Sequence, residues 1–194
     1  MPTYYYGSVP TNPDAFRAFV RFLAPHLPSE DEVFKCDGSL RWRNDLDLVT
    51  REFFRCLCYW KSPRRKAEVK RNTTESIRRV VKEALGGLGE GKSEGSVRSA
   101  INHLCSLHGV EVRTASVILT AWNPDEYGIY DFRVHEVLGL PGRSDNATVN
   151  RYLMFLRSLT DLSNELHISC SVRQVELAVW HYYPIQQSGM KTFE

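Results

Sequence analysis

One carboxylate in this chain stands where it could do chemistry, at the start of a predicted helix. Asp131 follows Tyr127 and Tyr130, and the predicted helix begins at Phe132. Aspartate in this position is typical of a helix N-cap, whose side chain accepts a hydrogen bond from the first backbone N–H groups. A carboxylate can also stabilise a positive charge that develops in a transition state, or orient an attacking water. Taken by themselves, these residues favour the capping role.

The densest basic segment follows Trp60. Residues 61–71 contain six lysines and arginines and a single glutamate. Such a segment can form an edge that contacts the phosphates of a nucleic acid, and it can equally be a solvated helix face. Trp60 and the neighbouring proline indicate a shaped loop, which suits stacking beside phosphate contacts. The candidate phosphate-binding residues in this segment are Lys61, Arg64, Arg65 and Lys66.

The stretch from residue 86 to residue 93 matches the P-loop expression G-x-x-x-x-G-K-S. In a P-loop, backbone N–H groups cradle phosphates, and here Lys92 and Ser93 would complete the site. A P-loop follows a buried apolar strand, whereas this stretch follows a basic amphipathic segment, and no apolar run ending in aspartate supplies a second magnesium ligand. The match therefore predicts a flexible loop between helices, with a nucleotide site as the weaker alternative.

Composition narrows the class of protein. The chain has 194 residues, of which 42% are hydrophobic and 25% charged. This composition is typical of a soluble globular protein, and the length suffices for one sizeable domain. Its net charge of +2 means that any nucleic-acid surface must come from local clustering. No apolar run approaches the roughly 20 residues of a membrane span, and the N-terminus has no signal-peptide pattern. These features predict a cytoplasmic protein without membrane association.

The spacing of cysteines and histidines predicts no metal site. The five cysteines are an odd number and are scattered, which is typical of free thiols in a reducing compartment. Cys56 and Cys58 fall inside an apolar helical run and fit a core better than a ligand pair. His108, His135 and His181 have neither metal-ligand spacing nor an adjacent nucleophile.

Apolar residues recur at helical spacing through most of the chain, and no segment alternates as a strand does. The sequence therefore predicts an all-α fold. Proline and glycine end most of the predicted helices. These helices cover residues 15–23, 46–60, 73–85, 96–107, 112–122, 132–138, 146–162 and 171–183.

Residues 104–138 resemble the helix-hairpin-helix DNA glycosylase superfamily, the relatives of endonuclease III. The family pattern is roughly L-x-G-V-G-x-x-T-A, an apolar helix, a proline loop, an apolar pair and then D-x-R-V. Several elements match in order, although no single one would suffice. The matching residues are Leu107, Gly109-Val110, Thr114-Ala115, Pro124, Ile129-Tyr130, Asp131, Arg133 and Val134.

The resemblance implies a fold and a site. Two helical lobes, residues 46–138 and residues 1–45 with 139–194, would enclose a cleft with the helix-hairpin-helix motif and Asp131 at its edge. Asp131 would be the catalytic residue that assists cleavage of the N-glycosidic bond of a base flipped out of DNA. The two lobes would act as a single glycosylase-like unit.

The resemblance also implies further contacts. The hairpin would bind DNA through Gly109 and Val110, with Arg113 and Thr114 as further contacts. In the family the hairpin carbonyls often hold a monovalent cation, so the resemblance allows such a cation here. No other cofactor and no metal are implied. Aromatic side chains would line the base pocket, and the candidates are Tyr127, Tyr130, Trp60 and Trp42.

Two positions depart from the family pattern. Glu111 replaces the second glycine of the hairpin and would bring a carboxylate close to a DNA phosphate. The lysine of the bifunctional members aligns with Val112 or Arg113, and neither can form a Schiff base. The four clustered cysteines that hold an iron–sulfur cluster in many members are also missing.

These observations predict a monomeric, monofunctional DNA glycosylase without strand-cleaving lyase activity. Its substrate base is open between a small damage lesion, which implies DNA repair, and a hypermodified phage base, which implies antiphage defence. The alternative is a non-catalytic helix-hairpin-helix DNA-binding protein on the same scaffold.

Overall fold

The computed structural model describes residues 13–28, 43, 45–88, 93–142 and 146–188. Within these residues the regular secondary structure is helical and includes no strand, as the sequence predicts. Three short 3-10 turns, Ala24–His26, Leu46–Leu48 and Pro63–Arg65, flank the α-helices. The helices are α1 Pro13–Leu23, α2 Arg51–Lys61, α3 Lys66–Val69, α4 Thr74–Gly86, α5 Glu94–Leu104, α6 Val112–Trp122, α7 Phe132–Val137, α8 Val149–Leu166 and α9 Val172–Ser188.

The predicted helix over residues 46–60 is split in two. Leu46–Leu48 is a 3-10 turn, and α2 starts only after Thr50, whose side chain accepts a hydrogen bond from the Phe53 N–H at 3.1 Å. Thr50 is extended and acts as the N-cap of α2, which interrupts the helical backbone at that point. α2 ends at Lys61, which lies in its last turn.

The prediction that Pro184 ends the last helix is wrong. Pro184 lies inside α9, which continues to Ser188. Proline removes one backbone donor from a helix and costs about 3 kcal/mol in a helix interior. Ile185, directly after the proline, packs against the core, and α9 packs on α1, α7 and α8. This burial of apolar surface offsets the lost hydrogen bond.

The other predicted helices are confirmed, with shifts of a few residues at some ends. α5 ends at Leu104 rather than at residue 107, and α8 begins at Val149 and continues to Leu166. Thr148 caps the start of α8, and His167, with a left-handed φ of 50°, ends it. Helix ends depend on such single capping residues, so they are harder to predict than helix interiors.

Helix α6 occupies the centre of the packing. Its side chains from residue 114 to residue 121 are all buried, including the polar Thr114, Ser116 and Thr120. α2 and α5 pack against it, and α4 packs against α5. The buried apolar side chains form one contiguous core, and the division into two lobes stays a prediction.

Candidate functional site

Residues 127–131, hereafter the strap, connect α6 to α7 without regular secondary structure. The Tyr130 N–H donates to the Ser116 hydroxyl oxygen of α6 at 2.9 Å. The Gly128 carbonyl accepts a hydrogen bond from the Tyr152 hydroxyl of α8 at 3.2 Å. Buried backbone groups outside helices need such partners, and these two bonds fix the path of the strap across the core.

The strap also lies close against α8 and α9. A Cβ added to Gly128 would lie 3.0 Å from the Leu159 side chain and 3.3 Å from Cβ of Glu176. The Ile129 N–H donates to Oε2 of Glu176 at 3.2 Å. Glycine at position 128 therefore permits the close approach that brings α9 into hydrogen-bonding distance of the strap.

The two carboxylate oxygens of Asp131 have different partners. Oδ1 accepts the Arg133 N–H at 3.0 Å, so Asp131 is the N-cap of α7, and the Arg133 guanidinium lies 3.4 Å from the same oxygen. Oδ2 lies 3.2 Å from Nζ of Lys61. One oxygen therefore caps α7, while the other faces the Lys61 ammonium.

Lys61 reaches Asp131 from the last turn of α2. The two side chains are only 13% and 17% exposed, which separates this pair from an ordinary surface ion pair. Burial lowers the pKa of the Lys61 ammonium, and the carboxylates of Asp131 and Glu176 oppose that effect. We expected Lys61 on a phosphate-binding edge, but the structure places it beside the candidate catalytic carboxylate.

Asp131 and Lys61 line a pocket of about 400 Å³, hereafter the Asp131 pocket. Its aromatic walls are Trp60 and Trp180, and its apolar surface is completed by Ile129 and Leu177. Five charged side chains also line it, namely Lys61, Asp131, Arg133, Arg173 and Glu176. A volume of this size fits a small organic ligand, and the combination of aromatic walls with convergent charged groups is typical of a binding site.

Arg173 and Glu176 form a buried ion pair one turn apart on α9. Their side chains are 4% and 2% exposed. Burial raises the pKa of the Glu176 carboxyl, and Arg173 opposes the rise. The sequence analysis missed both residues. A signal was present, because two opposite charges interrupt an otherwise apolar helix face, and such charges are buried only when they are paired.

The predicted aromatic residues separate into two groups. Trp60, at 47% exposed, lines the Asp131 pocket, and Trp42 lies outside the described residues. Tyr127 and Tyr130 are buried in the core and do not line this pocket, which corrects their predicted role. Both precede Asp131 on the strap, and their rings pack inward. Trp180 of α9, which the sequence analysis did not select, forms the second aromatic wall.

The turn between α5 and α6 holds Gly109 with a left-handed φ of 76°. A Cβ at this position would lie 2.8 Å from a methyl group of Val69, so glycine is required both by φ and by space. Asn72, buried before α4, clamps the turn. Its Nδ2 donates to the His108 carbonyl at 2.9 Å, and its Oδ1 accepts the His108 N–H at 2.9 Å.

The predicted DNA-contacting residues near this turn are only partly accessible. Val110 is buried, and Arg113 is half-buried. Thr114 is fully buried, and its hydroxyl lies 3.1 Å from the hydroxyl of Ser62, so it supports the packing of α6 and cannot contact DNA in this conformation. Gly109 is half-buried. The predicted monovalent cation would share the turn with Asn72, which already occupies the His108 carbonyl.

Two side chains of the basic segment, Arg65 and Lys66, already contact other residues of the protein. The Arg65 guanidinium lies 2.8 Å from the Glu68 carboxylate and also pairs with Glu111. The Lys66 ammonium lies 5.4 Å from the ring centroid of Tyr59, and Arg64 is exposed. The carboxylate of Glu111, which we expected to repel a phosphate, is thus compensated by Arg65, and Arg65 itself is not a free phosphate ligand.

Other sequence expectations concern metals and nucleotides. Within the residues that the structure describes, no group of three or more histidine, cysteine, aspartate or glutamate side chains is placed to hold a metal ion. Cys58 is buried, and burial raises its thiol pKa to about 12, whereas Cys56 is exposed. Half of the P-loop match, residues 89–92, lies outside the described residues, and the Ser93 side chain caps α5 by accepting the Ser96 N–H at 3.0 Å.

Two further findings concern membrane-spanning helices and similarity to known proteins. Among the described helices, none is both long and apolar enough to cross a bilayer. No protein-family model, no curated protein and no solved structure matches the chain. The resemblance to the glycosylase superfamily therefore stays a prediction from residues 104–138.

Proposed function

We propose that the protein is a DNA glycosylase that hydrolyses the N-glycosidic bond of a damaged or modified base flipped out of DNA. Asp131 is the catalytic carboxylate. The observation that carries the proposal is the arrangement of Asp131 itself, with one oxygen fixed on α7 and the other turned to Lys61 in a pocket with aromatic walls.

The chemistry follows from this arrangement. As the base leaves, positive charge develops on the sugar, and a fixed carboxylate stabilises it or orients the attacking water. Trp60 and Trp180 provide faces on which a flipped base stacks. Exposed basic side chains in the segment that follows the pocket residues Trp60 and Lys61, among them Arg64, Lys70 and Arg71, supply contacts to the phosphates.

A second candidate function is favoured by Lys61. The expectation of a monofunctional enzyme depended on Val112 and Arg113 in the place of a lysine. Lys61 offers a partly desolvated amine beside Asp131 from a different helix. Such an amine can attack C1′ of an abasic deoxyribose, form an imine with loss of water, and allow elimination of the 3′ phosphate. In this case strand cleavage would accompany base release.

The test of the main proposal is base release. DNAs carrying uracil, 8-oxoguanine, alkylated purines or hypermodified cytosines would be incubated with wild-type protein and with Asp131→Asn, and free base would be detected by mass spectrometry. We expect release by the wild type, at least a 100-fold loss in Asp131→Asn and unchanged DNA binding. The matched control is Asp14→Asn, an exposed carboxylate at the start of α1.

Each outcome assigns a function. Release from lesion-bearing DNA supports a repair enzyme, and release only from hypermodified DNA supports a defence factor. Retained release in Asp131→Asn would remove Asp131 from the mechanism. Binding without release from any of these DNAs would favour the non-catalytic DNA-binding protein.

A further inference from the structure

Glu176 is the most deeply buried charged group that lines the Asp131 pocket, and it has no role in the proposed reaction. Its side chain is 2% exposed on α9. Its Oε2 accepts the Ile129 N–H, and the carboxylate pairs with Arg173. A buried carboxylate without partners is strongly destabilising, and even a paired one often stabilises less than an apolar side chain of similar volume. A specific role is therefore a better account of Glu176 than stability.

We propose that Glu176 is a positioning residue for the catalytic pair. It fixes the strap through the Ile129 N–H, so that Asp131 points at the sugar, and it provides a second carboxylate for the Lys61 ammonium. The inference rests on the proposed function for its effect on base release, but the charge of Lys61 can be measured without any reaction.

The first part of the argument is geometric. Ile129 is separated from Asp131 by one residue, and Tyr130 between them is tied to Ser116 at 2.9 Å. Backbone hydrogen bonds hold the two ends of the strap, at Tyr127 and Asp131, whereas side chains of α6, α8 and α9 hold residues 128–130 between them. Glu176 also packs closely against Gly128, since a Cβ added to Gly128 would lie 3.3 Å from the Cβ of Glu176. A misplacement of about 1 Å at a catalytic group can reduce a rate about 100-fold.

The second part concerns charge. The charged groups that line the pocket around Lys61 are Asp131 and Arg133 at the start of α7, and Arg173 and Glu176 on α9. Burial lowers the pKa of Lys61, Asp131 and Glu176 raise it, and Arg173 lowers it. Burial therefore favours the neutral amine of Lys61, whereas the carboxylates of Asp131 and Glu176 favour its ammonium form.

Arg173 completes the arrangement. Its guanidinium pairs with Glu176 inside the protein and thereby favours the ionised form of that carboxyl. A protonated Glu176 would still accept the Ile129 N–H but would no longer attract the Lys61 ammonium. Arg173 is thus the residue that keeps Glu176 charged and able to attract the Lys61 ammonium.

The first experiment measures the titration of Lys61 in the full-length protein. Wild type, Glu176→Gln and Glu176→Asp would be labelled with an amine-acylating reagent over a range of pH, and the peptide containing Lys61 would be quantified by mass spectrometry. Lys82, exposed on α4 and paired with Asp47 at 2.9 Å, is the internal reference. We expect Glu176→Gln to lower the pH at which Lys61 becomes reactive, because a carboxylate that favours the ammonium has been removed. Lys82 should be unchanged.

The second experiment separates position from charge. Glu176→Asp keeps the negative charge beside Arg173, and so protects the fold, but withdraws the carboxylate from the Ile129 N–H by one methylene. We expect the titration of Lys61 to stay close to that of wild type while kcat for base release falls about 100-fold with little change in KM. Glu165→Gln, an exposed carboxylate of α8 that pairs with Arg17, is the control that should leave kcat unchanged.

The two experiments fail in distinguishable ways. An unchanged Lys61 titration in Glu176→Gln overturns the charge role, whether or not any DNA is a substrate. Unchanged kcat in Glu176→Asp overturns the positioning role. If Glu176→Gln does not fold, Asp131→Asn is introduced both into the wild type and into the double variant Glu176→Ala, Arg173→Met. The shift that it causes in the Lys61 titration is compared between the two backgrounds, and an equal shift would overturn the shared-charge role. Absence of base release in the wild type contradicts the proposed function alone, because the titration still decides the charge role of Glu176.

Discussion

The ammonium of Lys61 lies 3.2 Å from the Oδ2 oxygen of Asp131, although 70 positions of sequence separate the two residues. The contact joins the last turn of α2 to the first turn of α7 across the Asp131 pocket. Lys61 thus brings a lysine beside Asp131 from α2, whereas the lysine of the bifunctional glycosylases aligns with Val112 or Arg113. The proposed base release and the alternative lyase reaction both depend on this pair.

Lys61 should be the residue that is trapped on abasic DNA if the lyase route operates. Incubation with abasic-site DNA and borohydride should give a covalent complex with wild type and none with Lys61→Arg, which keeps the positive charge beside Asp131. Imine formation needs the neutral amine, and burial lowers the pKa of Lys61 from 10.5. The trapping rate should therefore rise with pH and level off below the pH expected for an exposed lysine.

Lys82→Arg is the control for this experiment, since Lys82 is an exposed amine on α4. Equal trapping by Lys61→Arg and wild type would contradict the assignment, because the imine would then form on another amine. Absence of trapping in the wild type would leave the monofunctional reaction as the only glycosylase route.

Trp60 should matter more for substrate than for stability. Its side chain is 47% exposed, so Trp60→Ala should lower the free energy of unfolding by less than about 1 kcal/mol. Loss of one stacking face should weaken binding of DNA with a flipped base by about 1–3 kcal/mol. Fluorescence anisotropy and urea denaturation measure the two quantities.

Phe22→Ala is the matched control, because Phe22 is an exposed aromatic residue at 74% and does not line the pocket. If both variants changed DNA affinity by the same amount, Trp60 would have no specific role in the site.

Glu111 should restrain DNA binding through Arg65. In Glu111→Gln, Arg65 loses one of its two carboxylate partners, and the α5–α6 turn loses a negative charge. We expect a several-fold gain in DNA affinity and a steeper salt dependence, with the slope of log K against log salt increased by about one. Titrations at several salt concentrations measure both.

The same substitution in an Arg65→Ala background tests the cause. There the gain should shrink to the effect of removing the Glu111 charge alone. An undiminished gain would mean that Arg65 takes no part, and a loss of affinity in the single variant would mean that Glu111 favours the bound state.

Asn72 should be essential for the shape of the α5–α6 turn. Asn72→Ala removes hydrogen bonds to both backbone groups of His108 and to the Val69 carbonyl, which lies 3.0 Å away. Buried groups left without partners should lower the free energy of unfolding by about 2–3 kcal/mol in urea denaturation. Asn72→Asp keeps the acceptor for the His108 N–H and loses the donors, so it should be destabilised as well. A fully stable Asn72→Ala would mean that water replaces the clamp.

The sequence was sufficient for many local features of this protein, but not for the start of α2 or the end of α9. Apolar residues at helical spacing predicted every long helix, because periodicity reflects which face of a helix is buried. Gly109 was predicted in the hairpin between two helices, and it lies in the turn between α5 and α6 with a left-handed φ of 76°. Asp131 was predicted as an N-cap, and its Oδ1 accepts the Arg133 N–H. Each of these features depends on neighbours within about one turn of the chain.

The tertiary structure decided which residues meet. Lys61 was grouped with its basic neighbours, yet its position at the end of α2 places it at Asp131. Tyr127 and Tyr130 were assigned to the pocket by proximity in sequence, yet the strap turns both rings into the core. Glu176 and Arg173 had no local signature of a site. Contacts between α2, α7 and α9 depend on how helices pack, and helix packing is set by many side chains at once, so no single segment encodes it.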